Sequence, residues 1–310
     1  MKTSFKILDF GFWISDFWKE LFQIPLITLT FFHVCFYYST VTAQVFSESD
    51  VDICNSKFQL AVNKNLDEKP IGDVIVEIGK SFIGTDYLAH GLEKDGDEQL
   101  VINLTGLDCT TFLENSLVLA RCIKTNKTTF EDYLNELKYV RYRNGVIDQY
   151  PSRLHYFSDW IYDNVKKGII EDVTEEIGGQ KIKFKLDFMS THPESYKQLK
   201  SRQGGTDFIP IIKKQEKEIS CREYYFIPKE KLKLKEDLIA NGDLIAITTT
   251  VDGLDVGHVG IALKMDDGRI YLIHSPTENT KVQISEQPLS DYLMKYKRHS
   301  GVVVLRALAN

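Results

Sequence analysis

The C-terminal part of the chain contains four short segments in which β-branched and large apolar residues predominate, a composition typical of strands. Helical patterns precede these segments and do not alternate with them, which predicts an α+β fold with an antiparallel sheet. The segments are residues 243–250, 257–264, 269–274 and 301–306.

The turn between the second and third segments sets the register of this sheet. Asp266, Asp267 and Gly268 fit a three-residue hairpin loop with glycine in the left-handed position. Such a loop predicts that His258 and His274 lie on one face as diagonal neighbours, roughly 7 Å apart at the backbone. A loop of two or four residues would place the two histidines on opposite faces.

A helix is strongly predicted after Asp108, because apolar residues from Phe112 to Ile123 recur at three- and four-residue spacing. Asp108 is a favourable N-cap residue, so Cys109 should occupy the first helical position. Further helices are expected at residues 74–82, 129–141 and 153–166.

The position of Cys109 suggests nucleophilic chemistry. A thiol attacks an amide as thiolate, and a helix N-terminus is expected to lower its pKa from about 8.5. His258 is the candidate base and His274 the candidate orienting group. Glycines at 257 and 260 indicate that something approaches the backbone closely around His258. The alternative is structural: a small buried cysteine and two hydrogen-bonded core histidines.

The net charge and the spacing of the cysteines argue against a nucleic-acid-binding surface, a zinc knuckle and a disulfide scaffold. The net charge of −6 argues against a nucleic-acid surface, which needs clustered Lys and Arg. The cysteines after residue 43 show neither a CxxC pair nor even spacing, so no zinc knuckle or disulfide scaffold is expected. We expect no cofactor and no metal, although Cys109, His258 and His274 could in principle bind zinc.

Residues 1–43 have the pattern of a signal peptide: lysines, then an apolar run from Leu21 to Tyr38, then Val41-Thr42-Ala43 before Gln44. The expected location is therefore periplasmic or secreted, without stable membrane insertion after cleavage. An uncleaved anchor and, less favoured, a lipid attached at Cys35 are the alternatives.

After this signal we expect a partly helical lead-in at residues 44–69 and one domain at residues 70–310. Within that domain, the Lys- and Glu-rich residues 166–235 are expected to supply hairpins and loops that line a cleft.

Four motifs together resemble the papain-like cell-wall hydrolases of the NlpC type, and are most similar to the N-acetylmuramoyl-L-alanine amidase-like branch. The resemblance covers about residues 70–305. The motifs are GLDCTTFLE (106–114), NGDLIAI (241–247), DVGHVGIAL (255–263) and LIHSP (272–276).

This resemblance implies a papain-like fold and hydrolysis of amides in peptidoglycan fragments (muropeptides). It assigns the nucleophile to Cys109, the base to His258 and the orienting group to His274. Tyr87 matches the tyrosine that such enzymes place beside the nucleophile, and Asp108 matches the acidic residue before it.

The segment SRLHYFSDW (152–160) also resembles the amidase-like branch, which makes Arg153, His155 and Tyr156 candidate substrate-binding residues. An amphipathic helix with a solvated polar face would use the same residues.

The chain departs from the wider superfamily at two places before the candidate base. It has Asp86 where related chains often have proline, and Thr110-Thr111 where they usually have Ser-Gly. His274 also lies further beyond His258 than the usual third residue.

The leading hypothesis is a monomeric amidase that cleaves the N-acetylmuramoyl-L-alanine bond through a thioester. The alternatives are an endopeptidase that cuts after D-glutamate in the stem peptide and a catalytically silent wall-binding module.

Overall fold

The computed structural model describes residues 44–196, 198–199, 207–277 and 280–309. The chain divides into two units, Met1–Thr42 and Ala43–Asn310, and the described residues belong to the second. The predicted signal peptide lies outside the described residues and stays a prediction.

Nine α-helices occur among the described residues, two of them single turns. They are α1 (Glu48–Asn63), α2 (Ile71–Lys80), α3 (Cys109–Lys124), α4 (Phe130–Arg141), α5 (Phe157–Lys166), α6 (Phe188–Thr191), α7 (Ile209–Ser220), α8 (Lys229–Leu232) and α9 (Leu289–Lys295).

The strands form a two-stranded parallel pair, β1 with β2, and an eight-stranded antiparallel sheet. The order in the large sheet is β4-β5-β10-β6-β7-β8-β9, and β3 also pairs with β10. The strands are β1 (Gln44–Val45), β2 (Leu100–Val101), β3 (Ile170–Asp172), β4 (Gln180–Ile182), β5 (Tyr224–Pro228), β6 (Leu244–Thr249), β7 (Val256–Lys264), β8 (Ile270–His274), β9 (Gln283–Ile284) and β10 (His299–Ala307). The predicted α+β class with an antiparallel sheet is confirmed.

The central strands are apolar on both faces because helices cover both. In β6, Leu244 and Ala246 join the core shared with α2 and α3, while Ile245 and Ile247 join the core under α8 and α9. This alternation follows from the two-residue period of a strand. The sheet is thus held rigidly between two layers, and β7 presents its histidine from a fixed backbone.

The predicted hairpin register is confirmed. Strand β7 pairs with β8 through Lys264 opposite Ile270 and Ile261 opposite Ile273. The amide of Met265 donates to the carbonyl of Arg269, and Gly268 has a φ of +77°. The three-residue loop with a left-handed glycine therefore lies where the sequence places it.

The middle of the chain differs from expectation. Besides short strands it contains the helix α7, which the sequence reading missed. A third apolar cluster forms here around Tyr156, Met189, Ile212 and Tyr224. The segment between α5 and β5 thus has its own small core.

The predicted lead-in is packed tightly into the domain. Cys54 and Phe58 of α1 belong to the same core as α2 and α3, and the Asp50 carboxylate accepts the Leu104 amide at 2.7 Å. In the part of the chain that the structure describes, none of the helices has the length and apolar character required to cross a membrane.

Candidate active site

Cys109 is the first residue of α3, as the sequence predicts. Its helix starts at a complete capping box: the amide of Thr111 donates to Asp108 Oδ1 at 2.8 Å, and the amide of Asp108 donates to Thr111 Oγ1 at 2.9 Å. Thr111, one of the two threonines that stand where the wider superfamily usually has Ser-Gly, therefore completes the cap. This box fixes where the helix begins, and so fixes the thiol at its N-terminus.

The electrostatic environment of the thiol contradicts one expectation. Burial, and after it the neighbouring Asp108 carboxylate, raise the pKa of Cys109 to about 12, although the backbone amide of Val259 acts in the opposite direction. The predicted lowering by the helix N-terminus is thus wrong. Desolvation of the half-buried thiol is the largest cause of this rise.

The contact with Val259 places the sulfur at strand β7. Val259 directly follows His258, so the thiol lies against the backbone of the residue next to the candidate base. Helix α3 and strand β7 share the main core, which keeps this approach fixed.

His258 and His274 form a direct hydrogen bond. Nε2 of His258 lies 2.8 Å from Nδ1 of His274, with the ring centroids 5.0 Å apart. The predicted meeting of the two imidazoles is confirmed. Because Nε2 of His258 is used in this bond, Nδ1 is the nitrogen left to exchange a proton with a substrate or a thiol.

Both imidazoles are neutral near pH 7. Burial lowers the pKa of His258 well below 6.5, and the nearby His274 and His299 lower it further. Burial alone lowers the pKa of His274 to about 4, since this residue is only 1% exposed. The raised pKa of the thiol and the lowered pKa values of the two imidazoles favour the uncharged form of all three groups before substrate binds.

The close approach expected around His258 occurs at Gly260. A Cβ at this position would lie 2.8 Å from the carbonyl oxygen of Ile273 and 2.7 Å from the Leu272 side chain. The neighbour that approaches is thus strand β8 itself. Glycine at this position lets β7 and β8 come close enough for the two histidines to bond.

Tyr87 lies near the thiol. Burial, together with the nearness of Cys109 and Asp108, raises the pKa of Tyr87 to about 12. Its segment is held by β-bridges from Asp86 to Gly106 and to Lys281.

Asp86, which stands where related chains often have proline, forms an ion pair. Its carboxylate accepts from Lys281 Nζ at 2.7 Å, an ion pair in place of the rigidity of a proline. The segment that carries Tyr87 is thereby tied to the chain that follows β8.

Ser275, which sequence reasoning did not single out, ties the two halves of the site together. Its hydroxyl donates to the carbonyl of Leu107 at 2.7 Å, linking the end of β8 to the loop just before Asp108. The motif LIHSP contains this serine directly after His274, so its position in the sequence could have marked it as a residue of the site.

Arg153 is engaged in a buried ionic cluster. Its guanidinium lies 2.6 Å from Glu93 and 3.3 Å from Glu98. The same group lies over the Tyr150 ring, 5.0 Å from the ring centroid. Nε2–H of His155 donates to the Tyr150 carbonyl at 2.9 Å, and burial lowers the pKa of His155 to about 3.

Tyr156 belongs to the third apolar cluster. Its hydroxyl donates to Glu216 at 2.7 Å and accepts from the amide of Met189 at 3.0 Å. Substrate binding by Arg153, His155, Tyr156, Tyr87 and Asp108 stays a prediction.

The helix expected from residue 153 begins instead at Phe157. Asp255, directly before β7, accepts the amide of Ser158 at 2.7 Å and so satisfies one N–H group of the first helical turn. Arg153 remains extended and reaches its acidic partners from the preceding loop.

Two motif residues have structural roles. Glu114 accepts from Arg141 at 2.7 Å and from the Trp160 indole at 3.1 Å, all in the interior. Asp243 binds Arg306 through two hydrogen bonds of 2.9 Å each. The motif around Asp243 therefore stabilises the fold by joining the start of β6 to β10.

The sequence also allows zinc binding by Cys109, His258 and His274. Within the described ranges, no group of three His, Cys, Asp or Glu side chains is arranged to hold a metal ion.

Solved structures of similar proteins extend over almost the whole described domain. An N-acetylmuramoyl-L-alanine amidase from Bacteroides uniformis is 38% identical, with a TM-score of 0.71, over 77% of this chain and 99% of that one. A provisionally named xylanase from Bacteroides fragilis is 41% identical, with a TM-score of 0.69, over 74% of this chain and 99% of that one.

A more distant protein, LPG0564 from Legionella pneumophila, shares the fold at 21% identity and a TM-score of 0.63, over 84% of this chain and 97% of that one. No curated protein matches the sequence. The model of the AmiA-like family, described as N-acetylmuramoyl-L-alanine amidase-like, matches residues 77–302. The chain therefore belongs to this amidase-like family.

Proposed function

We propose that the protein is a cysteine-dependent peptidoglycan amidase that hydrolyses the bond between the lactyl group of N-acetylmuramic acid and L-alanine. Cys109 is the nucleophile, His258 the base and His274 the group that orients the base. The hydrogen bond of 2.8 Å between His258 and His274, beside the strand residue that contacts the thiol, is the observation that carries the proposal.

The first half of the reaction transfers the acyl group to sulfur. Nδ1 of His258 takes the thiol proton while Cys109 Sγ attacks the lactyl carbonyl carbon. The backbone amide of Cys109, at the helix N-terminus, stabilises the oxyanion. His258 then gives its proton to the leaving nitrogen, the C–N bond breaks, and the stem peptide departs with a free L-alanine amine.

The second half regenerates the enzyme. A water molecule loses a proton to His258 and attacks the thioester carbonyl, and the C–S bond breaks. The lactyl carboxylic acid departs and Cys109 recovers its proton. His274 accepts a hydrogen bond from Nε2–H of His258 throughout, which stabilises the imidazolium formed in each half.

We further propose that the fold is of the papain-like NlpC type. Supporting this are the cysteine at the start of α3 and the antiparallel sheet that supplies the two histidines from adjacent strands. A periplasmic or secreted location after cleavage near residue 43, and a monomeric state, complete the proposal.

Digestion of a purified disaccharide–tripeptide, followed by mass spectrometry, tests the proposed bond. An amidase yields a free disaccharide with a lactyl carboxylate and an intact tripeptide. An endopeptidase that cuts after D-glutamate would instead leave a dipeptide on the disaccharide, and a silent module would release nothing. A xylo-oligosaccharide serves as control substrate, since glycoside hydrolysis requires a pair of carboxyl groups and not a thiol.

A further inference from the structure

Ser275 is a fully buried residue whose side chain crosses from the sheet to the loop before the candidate nucleophile. It follows His274 directly, and its hydroxyl donates to the carbonyl of Leu107 at 2.7 Å. Leu107 lies two residues before Cys109. One hydrogen bond therefore joins the chain at His274 to the chain at Cys109.

The carbonyl of Leu107 receives two donors of unequal quality. The Ser275 hydroxyl approaches it at 2.7 Å, whereas the Leu88 amide donates to it at 3.4 Å, which is longer than an N–H···O hydrogen bond usually is. Leu107 has no exposed surface, so removal of the serine hydroxyl would leave a buried carbonyl with one long hydrogen bond. Because such a group is unfavourable, the loop would shift toward another donor.

The hydrogen bond of Ser275 closes a ring of chain that contains the reacting groups. Along the chain, Leu107 leads through Asp108 to the nucleophile, and each histidine directly precedes another member of the ring. The contacts that close the ring are Val259 to Cys109, His258 to His274, and Ser275 to Leu107. The first two involve the thiol and the imidazoles, which change partners or charge during the reaction. The third involves neither, so it can hold the ring closed throughout.

Ser285 is a buried serine of the same kind that lacks this link. It is 4% exposed, accepts from the Leu272 amide at 3.0 Å and donates to the Gln287 carbonyl at 2.8 Å. These hydrogen bonds fasten β8 to the chain that follows β9, and neither partner belongs to the loop before Cys109. Ser285 therefore separates a local stabilising role from a role in joining the two halves of the site.

We propose that Ser275 is a positioning residue of the amidase reaction, and that its hydrogen bond to Leu107 sets the distance between Sγ of Cys109 and Nδ1 of His258. This role rests on the proposed function, in which that nitrogen takes the thiol proton. Ser275 has no exposed surface and so does not touch the substrate. Its loss should slow the chemical step and leave substrate binding unchanged.

Steady-state kinetics of the full-chain Ser275→Ala and Ser285→Ala proteins on a defined muropeptide test this division. Ser275→Ala should lower kcat by about tenfold or more with KM unchanged, because a displacement on the order of 1 Å between reacting groups lowers the rate by about a hundredfold. Ser285→Ala should keep the kcat and KM of the wild type. Urea unfolding should show that Ser285→Ala loses at least as much stability, since its hydroxyl makes two hydrogen bonds.

Alkylation of Cys109 by iodoacetamide tests the positioning without a muropeptide. Both serine variants are made in a Cys221→Ala parent, which removes the exposed thiol. In this reaction the Sγ–C bond forms, iodide leaves and His258 takes the thiol proton, so the rate at pH 7 depends on how sulfur and base are aligned. Ser275→Ala should react about tenfold more slowly than the parent, and Ser285→Ala at the parent rate. Mass spectrometry of the modified peptide identifies Cys109 as the alkylated residue.

The proposal is overturned if Ser275→Ala is alkylated at the parent rate or faster, if its loss of activity lies in KM instead of kcat, or if Ser285→Ala loses as much in either measurement. Slower alkylation of Ser275→Ala in a protein that cleaves no muropeptide would support the positioning role and count against the proposed function alone.

Discussion

Nε2 of His258 lies 2.8 Å from Nδ1 of His274, so the two imidazoles share one hydrogen bond between neighbouring strands. This bond leaves Nδ1 of His258 for proton transfer and fixes the ring that carries it.

His274→Ala should lower kcat by about a hundredfold or more, because His258 loses the group that orients its ring and stabilises its charge. His274→Gln, which keeps a hydrogen-bonding side chain, should recover part of the loss. Steady-state kinetics on a defined muropeptide measures both variants. A folded His274→Ala protein with undiminished kcat would remove His274 from the mechanism.

Gly260→Ala should reduce activity strongly, since its Cβ would meet the Ile273 carbonyl oxygen at 2.8 Å and push β8 away from β7. A displacement on the order of 1 Å between reacting groups lowers the rate by about a hundredfold. Gly257→Ala, whose Cβ would meet only the Thr249 side chain at 3.3 Å, is the matched control. Equal activity of the two variants would show that close strand approach is unimportant.

Glu114→Ala should destabilise the protein by about 3–5 kcal/mol, because it leaves Arg141 charged and unpaired in the interior. Glu223→Ala, which removes an exposed ion pair with Lys181, should change stability by less than about 1 kcal/mol. Urea unfolding of both variants gives the comparison. A small effect at Glu114 would mean that the buried pair is easily replaced by water.

The pH profile of kcat/KM should have its acid limb below pH 6.5. His258 must be unprotonated to act as base, and its pKa is well below 6.5, so protonation removes activity only at lower pH. The pKa of Cys109, raised to about 12, predicts no gain of activity near the ordinary thiol pKa of about 8.5. Initial rates between roughly pH 4 and pH 9 test this. A midpoint at or above 6.5 would contradict a buried, neutral base.

Local sequence signals predicted the core of the candidate site well. The capping residue Asp108 fixed the start of α3, and the loop Asp266–Gly268 fixed the register that joins His258 to His274. Both signals act within a few residues, where backbone chemistry determines the geometry.

Features that depend on distant partners could not be read from the sequence. Arg153 is paired with Glu93 and Glu98, roughly sixty residues earlier, and no local pattern connects them. The pKa of Cys109 is set by the desolvation that tertiary packing imposes, which a helix-dipole argument omits. Helix α7 has a short apolar stripe among many charges, and its core partners lie elsewhere in the chain.

The most direct test of the central claim compares the rate of muropeptide cleavage by Cys109→Ala and Cys221→Ala. Cys221 is an exposed free cysteine and serves as the matched control. We expect Cys221→Ala to release disaccharide and intact peptide at the wild-type rate, and Cys109→Ala to be slower by about a thousandfold or more. Release of the same products by folded Cys109→Ala at the rate of the control would contradict the assignment of Cys109 as nucleophile.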